Sequence, residues 1–273
     1  MENFRWMEIT SRQFKHYILS GGDIAALPVG SMEAMGPHLP VGVKYFIAKA
    51  IAEEVCKTHG GLCLPAMPLS PITGSKKRGG IGLDFQTASD YITDAVCEAH
   101  ENGIRRMLIV GFYDEIYYNV TEIFQEYDIP LIHIDPNNLR VGGACRQSRF
   151  NALAAGCLVL LNETALLSKT LELNEKFLRE GGLRAPDDEY PVANLLKVEG
   201  SDYPSGIFPH FYNENEYKTL PTANIDAGAA ADAIKKWAAE LKIPLEAYAK
   251  YSQVFPRARY DRGLRMGGVG YER

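Results

Sequence analysis

Hydrophobic residues along the chain alternate between short continuous runs and longer segments in which they recur every three or four positions. Short runs are typical of strands buried on both faces, and the periodic segments are typical of amphipathic helices. The predicted strands are IAALPVG, LCLPAMPLS, RRMLIVGF and IPLIHID, and a predicted helix follows each of them. This alternation predicts an α/β fold of three layers, α/β/α, with a mostly parallel sheet.

Glycine and asparagine mark the ends of the predicted helices. The helix after the first strand stops at Gly60, and the helix after the second strand closes at Asn102 and Gly103. The long helical region that begins RFNALAAG is predicted to break near Asn162. One more helix, AGAAADAIKKWAAELK, follows a segment rich in proline and glycine. No shift in composition separates a second domain, so residues 1–250 are predicted to form one domain.

Composition and charge narrow the range of partners. Of the 273 residues, 46% are hydrophobic and 23% charged, as in ordinary globular proteins. The formal net charge of -5 argues against a general nucleic-acid binder, because such binding rests on neutralising phosphates. The beginning of the chain, MENFRWMEITSRQF, lacks the apolar core of a signal peptide, and no apolar run approaches the ~18 residues of a membrane span. We therefore expect a cytoplasmic protein with no membrane partner.

The cysteines and histidines give no familiar metal or disulfide pattern. The cysteines are odd in number and form no CxxC pair, so they are predicted to be free buried thiols. They are Cys56, Cys63, Cys97, Cys145 and Cys157. The six histidines show neither an HxH nor an HExxH spacing.

The loop after the first strand, GSMEAMGPHLPVGVKYF, is the first candidate site. It carries Glu33, His38 and Lys44, and Pro37 and Pro40 stiffen it. Rigid turns that hold polar groups at a strand end suit a preorganised site. For His38 two interpretations stay open, namely a catalytic group or a hydrogen-bonding partner that only supports the loop.

The same loop carries a family resemblance. PVGSMEAMGPHLPVG resembles the first motif of the creatininase (creatinine amidohydrolase) family, roughly PxGSxEQHGPHLPLGTD. Looser similarities in GGIGLDFQTASDYI, ENGIRRMLIVGFYDEIYYN and SGIFPHFY extend it over most of residues 20–235. The resemblance implies a creatininase-like fold, hydrolysis of cyclic or linear amides with two zinc or manganese ions, and homo-oligomers that are often hexamers.

Only part of the metal-ligand set that the resemblance implies is present. Glu33 matches the glutamate of the first motif, and Glu115 matches the acidic ligand of the second. Met35 and Tyr113 stand where the family has histidines, and Lys44 stands at the bridging aspartate. An ammonium beside two metal cations adds repulsion on the order of several kcal/mol. We therefore expect no ordinary two-metal centre and no cofactor; a single metal held by Glu33, Glu115 and a relocated group stays an alternative.

The family's later HAGxxETS segment is also altered. It aligns with AAGCLVLL, so its histidine and glutamate are absent, although Glu163 in the following NETAL could supply the acid.

These replacements suggest a metal-free reaction centred on Lys44. An ammonium between Glu33 and Glu115 could polarise a substrate oxygen, or act as a base or Schiff-base nucleophile if its pKa is depressed. Tyr113 could donate a proton in the same pocket. The alternative is a salt bridge that fills the vacated metal site in a catalytically silent homologue, which would serve as a ligand-binding or scaffold subunit.

Two basic segments bear on partners. SKKRGG places Ser75, Lys76, Lys77 and Arg78 after the second strand, where they could bind the carboxylate or phosphate of a small-molecule substrate. A solvated charge run is the other interpretation. Residues 251–273, rich in arginine and glycine, are interpreted as an extended arm that packs on a neighbouring subunit of a homo-oligomer. The family resemblance implies that this oligomer is a hexamer.

Overall fold

The computed structural model describes residues 4–72, 79–127, 129–143, 145–181, 219–242 and 244–250. Within these residues four strands form one sheet in the order β2-β1-β3-β4, and every pairing is parallel. The strands are β1 Ile24–Pro28, β2 Leu62–Cys63, β3 Arg106–Val110 and β4 Leu131–Ile134. The predicted parallel sheet is therefore confirmed.

The second strand is shorter than predicted. In the regular ladder Leu62 and Cys63 pair with Ala25 and Ala26 of β1. The hydrophobic run continues to Leu69, and beyond the ladder Met67 forms an isolated parallel bridge with Val29. Pro65 and Pro68 lack the N–H groups that a ladder needs, which ends regular pairing early.

Helices follow each strand, as the alternation predicts. The helices that follow the strands are α2 Val43–His59, α3 Phe85–Glu101, α4 Tyr113–Tyr127 and α5 Arg146–Leu160. The other described helices are α1 Ser11–Leu19, which precedes β1, and α6 Thr164–Glu180 and α7 Ala227–Glu240, which follow α5. Short 3-10 helices cover Trp6–Glu8 and Pro136–Asn138. Asp84 and Asp226 cap α3 and α7 by accepting backbone N–H groups of their first turns.

The sheet lies between two hydrophobic clusters. Successive strand residues point to opposite faces. Ala26 and Leu108 therefore pack into the cluster that includes residues of α2, α5 and α7. Leu27 and Ile109 pack into the cluster that includes residues of α3 and α4. The predicted α/β/α layering is confirmed.

Left-handed residues end the helices where the sequence predicts. Gly60 follows α2 with φ of 67°, and Gly103 lies just beyond α3 with φ of 102°. Asn162, with φ of 59°, separates α5 from α6, so the predicted break in the long helical region is confirmed.

The five cysteines are free thiols, but two of them are not buried. Cys56, Cys63 and Cys157 lie in the interior as predicted. The prediction is wrong for Cys97, which is half-buried, and for Cys145, which is exposed. Cys145 is the N-cap of α5 and lies outside the core for that reason.

No helix among the described residues combines the length and apolar character needed to cross a membrane. The predicted C-terminal arm, residues 251–273, lies outside the described residues.

The carboxyl ends of the parallel strands place several loops at one edge of the sheet, where folds of this kind bind ligands. The loop from β1 to α2 carries Glu33, His38 and Lys44. Backbones pack closely here, since a Cβ at Gly30 would lie 2.3 Å from Cα of Tyr45. The candidate site is therefore built on tightly packed main chain.

Candidate active site at the end of strand β1

Lys44 and Glu33 form a buried ion pair. Glu33 lies in the loop after β1, and Lys44 lies in the first turn of α2. The distance from Lys44 Nζ to Glu33 Oε2 is 2.8 Å, and the two side chains are only 6% and 1% exposed. Buried charges of opposite sign must be paired in this way to offset their lost hydration.

Backbone hydrogen bonds fix the loop that brings the two residues together. The N–H of Glu33 donates to the carbonyl of Val41 at 2.9 Å, which closes the loop across its base. The N–H of Val43 donates to the carbonyl of Pro40 at 2.9 Å and starts α2. These hydrogen bonds consequently place the side chain of Lys44 beside that of Glu33.

An aromatic face also contacts the ammonium. Lys44 Nζ lies 5.1 Å from the ring centroid of Phe112, which follows β3. This is within the range of a cation–π interaction. Phe112 in turn packs against Phe150 of α5, with ring centroids 5.9 Å apart. The position of the charge therefore depends on side chains from both β1 and β3 loops.

His38 belongs to a separate hydrogen-bonded unit in the same loop. It is 1% exposed, and its Nε2 lies 2.9 Å from Oδ1 of Asn151 on α5. The Nδ2 atom of Asn151 donates to the carbonyl of Leu220 at 2.8 Å and to Thr222 Oγ1 at 3.0 Å. Because a backbone carbonyl only accepts, Nδ2 must face Leu220, and Oδ1 must face His38.

This arrangement determines the tautomer of His38. Oδ1 accepts only, so the neutral ring carries its hydrogen on Nε2 and leaves a lone pair on Nδ1. Nδ1 is buried and has no hydrogen-bond partner in the described part of the chain. Burial lowers the pKa of His38, and the hydrogen bond to Asn151 opposes that shift only in part. His38 is therefore neutral near pH 7.

The segment beginning at Thr219 closes over the loop. The N–H of Thr219 donates to the carbonyl of Met35 at 2.8 Å. A Cβ at Gly36 would lie 2.6 Å from the carbonyl oxygen of Thr219 and 3.0 Å from Cε1 of His38. Glycine at position 36 thus lets the segment and the imidazole approach from both sides.

The remaining predicted site residues fall outside what the structure describes. Tyr113 and Glu115 lie in the first turn of α4, but their side chains are outside the described part. Ser75, Lys76, Lys77 and Arg78 lie outside the described residues altogether.

Glu163 lies away from His38. It immediately precedes α6, beyond the end of α5 at Leu160, whereas Asn151 contacts His38 near the start of α5. At 1.5 Å per residue, the helix separates Asn151 from Leu160 by about 13 Å.

The described donors do not fit the two-metal centre that the resemblance implies. Within the described residues no three histidine, cysteine, aspartate or glutamate side chains come together in a group that could hold a metal ion. The ammonium of Lys44 has no lone pair and lies against Glu33 Oε2. Met35 packs into the hydrophobic cluster on the α2 side of the sheet.

Sequence reasoning missed Asn151 and Phe112. Asn151 is the single polar residue of the stretch FNALAAGC, which follows the polar first turn of α5, and this is a usable signal of a buried polar contact. Phe112 gave no signal, because a phenylalanine after a buried strand is indistinguishable from an ordinary core residue.

Comparisons with known proteins agree with the fold and the first motif. Residues 7–130 match the family model described as Creatininase: Creatinine amidohydrolase. A creatinine amidohydrolase of Pseudomonas putida is 25% identical over 123 residues, 42% of this chain and 47% of that relative. The match therefore spans about half the length of that relative.

Solved structures extend the likeness beyond that segment. The structure named "Creatininase Mn" has a TM-score of 0.64 at 16% identity, over 89% of this chain and 99% of that one. A creatinine amidohydrolase (creatininase) structure has a TM-score of 0.57 at 16% identity, over 94% and 99%. At such low identity these likenesses establish the fold.

Proposed function

We propose that this chain, a divergent member of the creatininase family, hydrolyses an amide or related C–N bond of a small, polar, anionic substrate through Lys44 and Glu33 rather than through two metal ions. The observation that carries the proposal is the contact of 2.8 Å between Lys44 Nζ and Glu33 Oε2, both buried. A lysine at the position of the family's bridging aspartate supplies positive charge where the family has metal ions.

Lys44 has the environment of an electrostatic catalyst. Positive charge in a site that excludes water stabilises the negative charge that develops on a carbonyl oxygen during acyl transfer. Its Nζ is held between a carboxylate and the face of Phe112, so its position is set before a substrate arrives. In the proposed reaction the ammonium binds the substrate carbonyl oxygen.

Glu33 serves as the general base in this scheme. Its carboxylate takes a proton from a water molecule, whose oxygen attacks the carbonyl carbon. The C–N bond then breaks, and the leaving nitrogen takes a proton from an acid, a role that we assign to Tyr113. Glu115 is proposed as a second carboxylate that balances Lys44.

The anionic character of the substrate is a proposal from the sequence SKKRGG. Lys76, Lys77 and Arg78 would bind the substrate's carboxylate or phosphate. Reversing the charges of Lys76 and Lys77 should raise KM while leaving the melting temperature nearly unchanged.

A second candidate function is a catalytically silent ligand-binding or scaffold subunit. The observation that favours it is the burial of Met35, 7% exposed, at a position where the resemblance implies a metal ligand. In this case the Glu33–Lys44 pair only fills the vacated site.

A hydrolysis assay separates the two functions. The full chain would be incubated with creatinine, with N-acyl amino acids and with N-carbamoyl amino acids, in the presence of a chelator. Creatine formed from creatinine and amine or ammonia released from the acyclic compounds would be measured. We expect turnover of at least one anionic amide, unaffected by the chelator and abolished by Glu33→Gln. Release of no product from any of these compounds, or an unchanged rate in Glu33→Gln, would favour the scaffold subunit.

A further inference from the structure

A polar cavity lies beside the start of α5, apart from the Glu33–Lys44 pair. Its volume is about 470 Å³, and it is open to solvent, since five of its six described lining residues are exposed. The residues that line it are Asn137, Asn138, Arg140, Gly142, Gly143 and Arg149. None of them was a predicted site residue.

The charges of the cavity are all positive. Arg140 and Arg149 are its charged residues, and no carboxylate is among the described lining residues. Among the described contacts, neither guanidinium forms an ion pair or a hydrogen bond with the protein. The nearby carboxylate of Asp135 accepts the N–H of Asn137 at 2.9 Å and caps the 3-10 helix. Two guanidiniums thus keep their donors available to a ligand.

The loop at Gly142 and Gly143 packs closely against the helix. Gly142 and Gly143 have φ of 58° and 65°, which favours glycine at both positions. A Cβ at Gly143 would lie 2.3 Å from Oγ of Ser148, so the loop backbone packs directly on the first turn of α5. Arg149 is therefore held beside the loop that precedes it.

A thiol beside the cavity is stabilised in its ionised form, chiefly by hydrogen bonds. Hydrogen bonds from Ser148 and the charge of Arg149 lower the pKa of the Cys145 thiol at the helix N-cap. Negative charge is thus favoured at this end of α5.

The cavity lies at the carboxyl end of β4, the edge at which parallel sheets bind ligands. The described residues that line it include neither Glu33 nor Lys44. A binding role here consequently does not depend on the chemistry proposed for that pair.

We propose that this cavity binds an oxyanion, the phosphate or carboxylate group of a small organic molecule, through Arg140 and Arg149. Guanidinium groups recognise both anions through paired N–H donors. The carboxamides of Asn137 and Asn138 would hydrogen-bond the polar body of the ligand, for which a volume of about 470 Å³ leaves room beyond the anion itself.

Calorimetric titration of the full chain tests the proposal. The probes are inorganic phosphate, glycerol 3-phosphate and glutarate, with chloride at equal ionic strength as the reference. We expect saturable binding of at least one probe, weakened about tenfold or more by Arg140→Gln or by Arg149→Gln. If only the two phosphate probes bind, the anionic group of the ligand is a phosphate. If only glutarate binds, it is a carboxylate.

Arg179→Gln is the matched control, because Arg179 is an exposed arginine in the last turn of α6. It should bind every probe as the unaltered chain does. The Arg140 and Arg149 variants should fold normally, since neither side chain makes a described polar contact that the change removes. Failure of all three probes to bind the unaltered chain, or binding by the double variant Arg140→Gln/Arg149→Gln equal to that of the unaltered chain, would overturn the proposal.

Discussion

The ammonium of Lys44 lies 2.8 Å from a carboxylate oxygen of Glu33, eleven residues earlier in the chain, and both side chains are almost fully buried. The pair spans the loop between β1 and the first turn of α2. Because each charge is removed from water, neither partner can be neutralised without leaving the other in an unfavourable environment.

Lys44→Met should therefore destabilise the fold. Methionine keeps much of the length and apolar volume but leaves Glu33 without this cation, at a cost of ~3–5 kcal/mol in the free energy of unfolding. Lys44→Arg preserves the charge and should largely retain stability. Urea unfolding of both variants checks this, with Glu33→Gln/Lys44→Met as the control that removes both charges and should recover part of the loss. A Lys44→Met variant as stable as the unaltered chain would show that the pair is not buried in solution.

Asn151 should control the tautomer of His38. In the unaltered chain the neutral ring carries its hydrogen on Nε2, because Oδ1 of Asn151 accepts it at 2.9 Å. Asn151→Ala removes that acceptor and also leaves the carbonyl of Leu220 without its donor, so each lost contact costs about 1–3 kcal/mol. Nitrogen NMR of the imidazole should report Nε2–H in the unaltered chain and a mixed population in Asn151→Ala. The Nδ1–H form in the unaltered chain would contradict the assignment.

Stability should fall on mild acidification because of His38 and His100. Burial lowers the pKa of both imidazoles below the usual 6.5, and for His100 the charge of Arg105 contributes as well. Between the folded and unfolded pKa values the unfolded chain binds more protons, so the free energy of unfolding decreases as pH drops through that window. The contribution is fully present above about pH 6.5.

Urea unfolding between about pH 7.5 and pH 5 measures this dependence. His38→Gln and His100→Gln should each make the slope of stability against pH shallower below pH 6.5. The slopes of stability against pH are compared rather than the absolute stabilities, because a substitution that lowers stability equally at every pH leaves the slope unchanged. Slopes identical to that of the unaltered chain would count against burial of these rings.

Gly36→Ala should be poorly tolerated, in contrast to Gly42→Ala. The added methyl at position 36 would lie 2.6 Å from the carbonyl oxygen of Thr219, whereas at position 42 its nearest neighbour is Phe46 at 3.7 Å. Overpacking of this kind costs about 1–3 kcal/mol, and Gly42→Ala should change stability by a few tenths. Thermal unfolding of the two variants decides the matter. Equal melting temperatures would mean that the segment at Thr219 does not press on the loop.

The layers of the fold were predictable because their signals are local. A short apolar run rich in β-branched residues, such as the one ending at Val110, is typical of a strand covered on both faces. Gly60 and Asn162 end helices because both adopt left-handed backbone angles. The early end of β2 was less evident. Its hydrophobic run continues, but prolines within it remove backbone donors.

The contacts of the site were only partly predictable for a related reason. Glu33 and Lys44 lie close in sequence, and a familiar motif placed them together. The pairing of His38 with Asn151 spans 113 residues, and its dependence on Leu220 arises from tertiary packing that no periodicity encodes. Likewise, the approach of Arg149 to the loop at Gly143 follows from how α5 packs on its preceding turn.

Elemental analysis of the full chain tests the central claim most directly, because it asks whether Lys44 stands in place of metal ions. The chain would be purified without chelators from cells supplied with zinc and manganese, and compared with Met35→His/Lys44→Asp, which restores two ligand types of the family motif. We predict no stoichiometric zinc or manganese in the unaltered chain and a gain of metal in the double variant. About two metal ions per unaltered chain would contradict the account.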